Sequence, residues 1–290
     1  LIDKPALRLT PSEAAMHLFE FMDEDWVPRS LRATLRDILE CGNSQPFRPY
    51  YDWVAKEVLA AAARNNCEAV MEMGAGTAPI TRHLLKIADS QQLRLYVSDL
   101  NPDLDAYQEL DEVSGGQVEC ERRQVDFSQP WPWPPNSLLV LSATFHHVPE
   151  ELRCNSLEAL AAGGRPVAIF EPLNKNLASY LFTFLSLVPA LLTPLRFLNR
   201  PGRLRRILWC WLVPVAPVMF VWDGIASCAR QWSTRQWKEF LTSSAHTPLD
   251  AQMQQSLFTR MVEFQQQRAA VEDRGPLIAR TEHACGSGAQ

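Results

Sequence analysis

The sequence predicts an α/β fold: a doubly wound, mostly parallel sheet with helices ahead of it and an apolar helical insert after its fifth strand. Three observations lead there. Short apolar runs alternate with helical patterns from residue 68 to 171, the order expected of parallel strands joined by crossovers, with helices on both sheet faces. Glycines 74 and 76 stand directly after the first run. Residues 177–222 then abandon the alternation for long uncharged stretches.

Composition sets the bounds. The chain has 290 residues, 47% hydrophobic and 21% charged, enough for one large domain or two small ones with a sizeable core. Twelve glycines and 21 prolines fit no collagen-like or low-complexity repeat. The net charge of −5 argues against a general nucleic-acid binder, so no nucleic acid is expected as partner. That charge is uneven: residues 1–171 hold 15 basic and 26 acidic side chains, and residues 172–222 hold six basic and no acidic ones. Seven cysteines, at 41, 67, 120, 154, 210, 228 and 285, form no CxxC. No Cys/His spacing suggests zinc and no metal site is expected; the plain reading is free thiols in a reducing compartment, hence a cytoplasmic protein. No signal-peptide pattern opens the chain, which starts at Leu1 rather than Met and leaves room for an upstream piece.

Each element has its own justification. Residues 12–64 read as helical: Ser12 and Glu13 start one run, Leu31, Leu35, Ile38 and Leu39 keep helical spacing, and residues 52–63 are rich in helix formers. Ala69–Met73 is the first strand, and a helix over 79–88 has Pro79 near its start, where a missing N–H costs little. Strands follow at Leu93–Val97, Val118–Val125, Ser137–Leu141 and Arg165–Phe170, with helices over 102–112 and 150–162. Leu177–Leu195 carries no charge but contains Pro189 and Pro194; Arg196–Arg206 holds five arginines; Ile207–Trp222 is uncharged again, with Pro214 and Pro217. Against the ~20 apolar residues that span a bilayer, the first stretch is broken and the second short, so a buried lid or an interfacial hairpin is the expectation. Residues 229–243 read as an amphipathic helix, 246–290 show no convincing strand pair, and 286–290 should fray. Four segments result: a helical cap over 1–64, a ligand-binding core over 65–176, the basic-centred insert over 177–222, and a helical or irregular segment over 223–290.

The chemistry gathers at strand ends. Glu72-Met73-Gly74-Ala75-Gly76-Thr77-Ala78 joins strand to helix, where glycines allow a tight turn and close approach of a ligand. Asp99, followed by Leu100, ends the second strand; a carboxylate there can accept both hydroxyls of a ribose, or cap the next helix. Asp126 and Phe127 follow the third strand, suiting an adenine amino group and ring face. Three such sites at successive strand ends reinforce one another, since open α/β sheets bind ligands there.

On these residues, positions 48–171 resemble the class I S-adenosylmethionine-dependent methyltransferase family. Its acidic residue with GxGxG or GxGxA is matched by Glu72, Gly74, Gly76 and Ala78; its ribose-binding acid falls on Asp99; its adenine-contacting pair falls on Asp126 and Phe127. Its segment after strand four falls on Ser142–His147, and its motif around strand five on Gly163–Glu171. The resemblance implies a Rossmann-like sheet, S-adenosyl-L-methionine as cofactor, and methyl transfer. A dinucleotide oxidoreductase is the competing reading, but it usually carries a more regular GxGxxG, and the absence of GK[ST] excludes a P-loop. Trp26-Val27-Pro28-Arg29 with Leu31-Arg32, and Trp222-Asp223-Gly224 with Ser227 and Arg230, further resemble a set of poorly defined bacterial methyltransferases whose apolar insert caps the active site.

Candidate roles follow. His146 and His147, after strand four, could act as general base, or form a structural pair. Glu171 could orient an acceptor hydroxyl or amine. Ser142, Ala75 and Leu100 join the cofactor-binding set. Arg48, Tyr50 and Tyr51 could close over the donor carboxylate. The arginines at 196, 200, 203, 205 and 206 could meet anionic lipid, at ~1 kcal/mol each, or form a solvated loop; Trp209, Trp211 and Trp222 suit a membrane interface or a lid core. The expected function is methyl transfer to a small, lipophilic acceptor, with peripheral membrane contact through 177–222. The alternative is a non-catalytic, donor-binding or scaffold protein. Residues 231–290 lack the family's usual terminal hairpin in this reading, which puts activity in doubt.

Overall fold

The computed structural model describes residues 18–44, 48–87, 92–129, 131–243, 249–256 and 259–266. Ser12, Glu13, the end at 286–290 and Cys285 lie outside them.

Two helices open the fold, α1 (Arg29–Ser44) and α2 (Arg48–Arg64). The alternating part runs β1 (Ala69–Met73), α3 (Pro79–Leu84), β2 (Arg94–Asp99), α4 (Leu104–Ser114), β3 (Val118–Gln124), β4 (Ser137–Ser142), α5 (Glu150–Ala162) and β5 (Val167–Glu171). The insert holds α6 (Leu177–Leu185), α7 (Leu187–Arg196), α8 (Arg203–Ile207), a π turn over Leu208–Leu212 and α9 (Val215–Arg230). Helix α10 (Thr234–Ser243) and strands β6 (Leu249–Gln255) and β7 (Arg260–Gln266) complete the chain's described elements.

The seven strands form one sheet in the order β3-β2-β1-β4-β5-β7-β6. Strands β1 to β5 are parallel, and β7 runs antiparallel to both β5 and β6. The strand order reverses between β1 and β4, the crevice where such sheets take ligands. Every residue of β1 and β5 is buried, because central parallel strands are covered on both faces. Helices α2, α3 and α4 cover one face through Val54, Val58, Ile80, Leu84, Tyr107 and Leu110. Helices α5 and α10 cover the other through Leu157, Leu160, Trp237 and Phe240. Asp103 caps α4 by accepting the Ala106 N–H at 3.2 Å, and Asn176 caps α6 by accepting that of Ser179 at 2.8 Å.

The terminal hairpin corrects the sequence reading, which found no strand pair beyond residue 230. Strand β6 is Gln-rich and lies at the sheet edge, so its composition carries no apolar alternation. Strand β7 buries Met261, Val262 and Phe264 beside β5 within a run too short to stand out. The expected helix over 229–243 is also divided: α9 continues to Arg230, and α10 begins at Thr234. Residues 18–28, read as helix, form turns.

The two N-terminal helices part company. Helix α2 packs on the sheet, whereas α1 packs through Leu31, Leu35 and Ile38 against Ala190, Cys210 and Ala216 of the insert. Gly224 on α9 is fixed by the packing of α9 on α6: a Cβ there would stand 2.5 Å from Cγ2 of Thr183. Three of the insert arginines reach the same helix, α1. Arg205 and Arg206 both pair with Asp37, and Arg200 pairs with Glu40. Arg206 is 2% exposed and also donates to the carbonyls of Phe197 and Arg200. Arg205 and Arg206 are taken up in ion pairing, because α1 presents acids where the basic loop crosses it, whereas Arg200 keeps its side chain largely exposed.

Candidate functional site

The loop after β1 is built around Gly74. Its φ is +62°, and a Cβ would lie 2.2 Å from Cγ2 of Thr144 on the loop after β4, so both backbone sign and space demand glycine. Thr144 returns a hydroxyl hydrogen bond to the Gly74 carbonyl at 3.1 Å, locking together the two loops of the reversal crevice. Glu72 is buried, and its carboxylate accepts the N–H groups of Ile80 and Thr81 at 3.2 and 2.8 Å. It caps α3 from the strand below, since Ala78 at that helix start makes no side-chain cap. Burial pushes its carboxyl up to about 7, against the lowering effect of those hydrogen bonds.

Asp99 closes the loop from β2. One carboxylate oxygen accepts the Gly76 N–H and the other that of Asn101, each at 2.7 Å. Neither oxygen is saturated, so two hydroxyls could still be accepted. A Cβ at Gly76 would meet no atom within 4 Å, so open space adjoins this carboxylate. Asp126 lies on the surface and holds a turn, accepting the backbone N–H and the hydroxyl of Ser128; Phe127 is half-buried against the α5 core. Leu100 is exposed and Ala75 is buried, its N–H bonded to the Ser98 carbonyl. The Ser142 hydroxyl meets the Tyr50 hydroxyl at 3.3 Å. Burial pushes the Tyr50 phenol well above its ordinary value. Tyr51 stacks on His83, and Arg48 pairs with Asp52 on the surface of α2.

The ends of β4 and β5 carry a second cluster. His146 is buried on the turn Phe145–His147, with Nδ1 at 2.8 Å from Oε2 of Glu171. The amide of Gln231 donates to the same oxygen at 2.7 Å. Burial alone would raise the Glu171 carboxyl, but His146 and the Gln231 amide hold it below its usual range. His147 places Nδ1 at 3.1 Å from Asp23. Burial would lower this imidazole, yet the Asp23 hydrogen bond and the charges of Glu20 and Asp23 raise it. The two rings pack on each other with centroids 4.4 Å apart, and Glu20 faces both, held by Arg230 at 3.0 Å and by the Ser227 hydroxyl at 2.9 Å.

No protein-family model and no curated protein matches the chain. Solved structures do. An O-methyltransferase from neocarzinostatin biosynthesis, in complex with S-adenosyl-L-homocysteine and 1,4-dihydroxy-2-naphthoic acid, is 15% identical over 82% of this chain and 59% of its own, with a TM-score of 0.50. An O-methyltransferase family protein from Burkholderia thailandensis is 14% identical over 76% and 56%, at 0.49. Human N-acetylserotonin methyltransferase in complex with S-adenosylmethionine is 14% identical over 82% and 57%, at 0.49. The fold is that of the class I S-adenosylmethionine-dependent methyltransferases. The chain spans less than three fifths of the length of these three proteins.

On the methyltransferase fold, the glycine loop, Asp99 and Ser142 gather at the reversal between β1 and β4, and His146, His147 and Glu171 sit beside them at the ends of β4 and β5. Sequence reasoning missed Glu20, Asp23 and Gln231. Part of the signal was present: of the residues quoted from 222–230, Ser227 and Arg230 hold Glu20, and Asp223 accepts the N–H groups of Phe21 and Met22 at 2.7 and 3.2 Å.

Proposed function

We propose that the chain transfers a methyl group from S-adenosyl-L-methionine to a small, lipophilic acceptor. The observation that carries this reading is the convergence of two unlike sites on one crevice: the Gly74–Asp99 cradle, with open space beside an unsaturated carboxylate, and the buried His146–Glu171 pair. The cradle fits an adenosyl ribose. The donor, when bound, supplies an activated sulfonium methyl, so the protein need mainly align a nucleophile and exclude water. Asp99 would hold the ribose hydroxyls. Glu171 fixes the His146 ring, whose Nε2 is left to take an acceptor proton.

The acceptor class rests on the insert. Leu177, Leu181, Phe184, Leu185, Val188 and Leu192 expose apolar side chains along α6 and α7. The stretch Leu177–Arg196 is, among the described residues, one helical run long and apolar enough to cross a membrane, at 20 residues and mean hydropathy 1.6. Arg203–Leu212 and Val215–Arg230 qualify only as one span bent by 77°. Exposed apolar faces of this extent favour contact with partners or membranes, and we read the insert as a lid that docks on a bilayer and receives the acceptor from it. Free thiols at six cysteines support a cytoplasmic location. The expectation against a nucleic-acid acceptor rests on net charge alone.

Calorimetric titration with S-adenosylmethionine, beside Asp99→Asn, tests the donor site: stoichiometric binding that the variant weakens at least tenfold is expected, and no binding by folded wild type overturns the reading. Donor turnover with a panel of lipophilic phenols and acids separates an enzyme from a binding scaffold. The hairpin of β6 and β7 removes the one departure from the family that put activity in doubt in the sequence.

A further inference from the structure

The Glu20–His146–His147 cluster has a geometry that proton transfer alone does not require. Both imidazoles use Nδ1 toward a carboxylate, His146 to Glu171 at 2.8 Å and His147 to Asp23 at 3.1 Å. Both then present Nε2 to the same third group: Nε2 of His146 lies 3.9 Å from Oε1 of Glu20, and Nε2 of His147 lies 3.9 Å from Oε2. Those gaps exceed hydrogen-bond length. One donor atom from each of the three residues falls within 4.8 Å of the others.

We infer that His146, His147 and Glu20 form a binding site for one divalent transition-metal ion of the zinc type. Two imidazole nitrogens and one carboxylate oxygen are the donor set that a catalytic zinc uses when it keeps a position open. With metal–ligand bonds of ~2.0–2.1 Å, tetrahedral ligand atoms stand roughly 3.4 Å apart, so the 3.9 Å from Nε2 of His147 to Oε2 of Glu20 needs to close by about half an ångström, and Nε2 of His146, 3.9 Å from Oε1, must move toward Oε2 as well. Every ligand has its own orienting partner: Glu171 for His146, Asp23 for His147, and Arg230 with Ser227 for Glu20. Carboxylates on the remote imidazole nitrogens are the outer shell that metal-bound histidines carry. Arg230 and Ser227 both bind Oε1 of Glu20, which leaves Oε2 as the ligand atom.

Charge points the same way. The linked side chains Glu20, Asp23, Glu171 and Arg230 carry a formal −2 when both imidazoles are neutral, which one divalent cation balances. The His147 side chain is 37% exposed and gives the ion a way in and room for a further ligand. The ion would sit at the ends of β4 and β5, on the side of the crevice where the proposed acceptor binds; an acceptor hydroxyl in the open position would lose its proton more readily. The ion would occupy the His146 Nε2 that the methyl-transfer reading assigns to the acceptor proton. In the metal-loaded protein the ion would therefore promote deprotonation, with the proton passing to solvent, and that nitrogen would not act as base. Metal binding is tested without donor or acceptor and stands or falls apart from that reading.

Metal-free full-length protein titrated with Co2+ tests this without donor or acceptor. One Co2+ per chain with visible d–d absorption is expected, and Zn2+ should displace it. His147→Gln and Glu20→Gln should weaken Co2+ at least about a hundredfold, and Asp23→Asn, an outer-shell change, about tenfold. Should the buried Glu20 variant misfold, the Co2+-loaded wild type still decides: two exchangeable, contact-shifted imidazole N–H proton resonances are expected, one per ring. Absence of stoichiometric Co2+ uptake by folded wild type, unchanged affinity in folded His147→Gln, or a Co2+ adduct without those resonances would each overturn the site.

Discussion

His146 and Glu171 are joined by a 2.8 Å hydrogen bond between two buried side chains, one on the turn that follows β4 and one on the last residue of β5. The pair exists because β4 and β5 are parallel neighbours, with Ser142 opposite Phe170, so the residues that follow each strand emerge side by side. A carboxylate in this position fixes the tautomer of the imidazole and stabilises its protonated form. Glu171→Gln keeps a hydrogen-bonding group but removes the charge. Methyl transfer to a proton-bearing acceptor should fall by about 10²-fold in kcat, with donor affinity unchanged by calorimetry. Equal loss of donor binding would instead make Glu171 a part of the cradle.

Gly74 and Gly76 both have positive φ, +62° and +52°, but only Gly74 faces a neighbour. Gly76→Ala should therefore cost the left-handed backbone penalty alone, ~1–2 kcal/mol. Gly74→Ala adds the collision with Thr144, for a further ~1–3 kcal/mol. Urea unfolding of both variants should rank Gly74→Ala as the more damaging. Thr144→Ser in the Gly74→Ala background removes the Cγ2 that the new methyl would strike and should recover part of the loss.

The alternating core was legible because β1, β4 and β5 are continuous apolar runs and because Gly74, Asp99 and Asp126 stand at strand ends. The hairpin was not. Strand β6, Leu-Asp-Ala-Gln-Met-Gln-Gln, is an edge strand whose polar residues suit exposure as well as a loop does. Glu20 and Asp23 were illegible for another reason. They lie in turns, and they reach the site only because Asp223 on α9 accepts the N–H groups of Phe21 and Met22. Local pattern carries no record of such a long-range anchor. The insert arginines were visible as a charge run, but their direction depended on Asp37 and Glu40 of a helix far away in the chain.

Glu72 makes stability depend on pH in a direction opposite to that of a paired surface acid. Its folded carboxyl is raised from 4.5 to about 7 by burial. The folded state therefore holds a proton that the unfolded chain releases between these values, and the stabilising contribution present below pH 4.5 is lost as pH rises to 7. Glu72→Gln has no such titration. Relative to wild type, the variant should gain stability across that interval, by of order 3 kcal/mol at its upper end. Chemical denaturation of both proteins at pH 4.5, 6 and 7.5 gives the comparison; parallel stabilities at all three would show that Glu72 titrates normally.

Asp37 holds the insert to α1, and its removal tests whether the insert is a fastened lid. It pairs with both Arg205 and Arg206, and Arg206 is 2% exposed. Asp37→Ala would leave a buried guanidinium with only the carbonyls of Phe197 and Arg200 as partners, and breaking one side of a buried pair costs ~3–5 kcal/mol. The apolar contacts of Leu31, Leu35 and Ile38 with Ala190, Cys210 and Ala216 remain, so α8 and the arginine loop should loosen before the sheet does. Limited trypsin proteolysis should cut the variant after Arg203 or Arg205 while the β1–β5 core resists. Vesicles of anionic lipid then separate the insert's two contacts. If docking uses the exposed Leu181 and Phe184, Asp37→Ala should still bind vesicles, because its exposed apolar face is unchanged and Arg205 has lost its partner. Leu181→Glu with Phe184→Glu should lose binding while keeping the wild-type cleavage pattern. Vesicle binding by that double variant at wild-type strength would remove the apolar face from the docking surface.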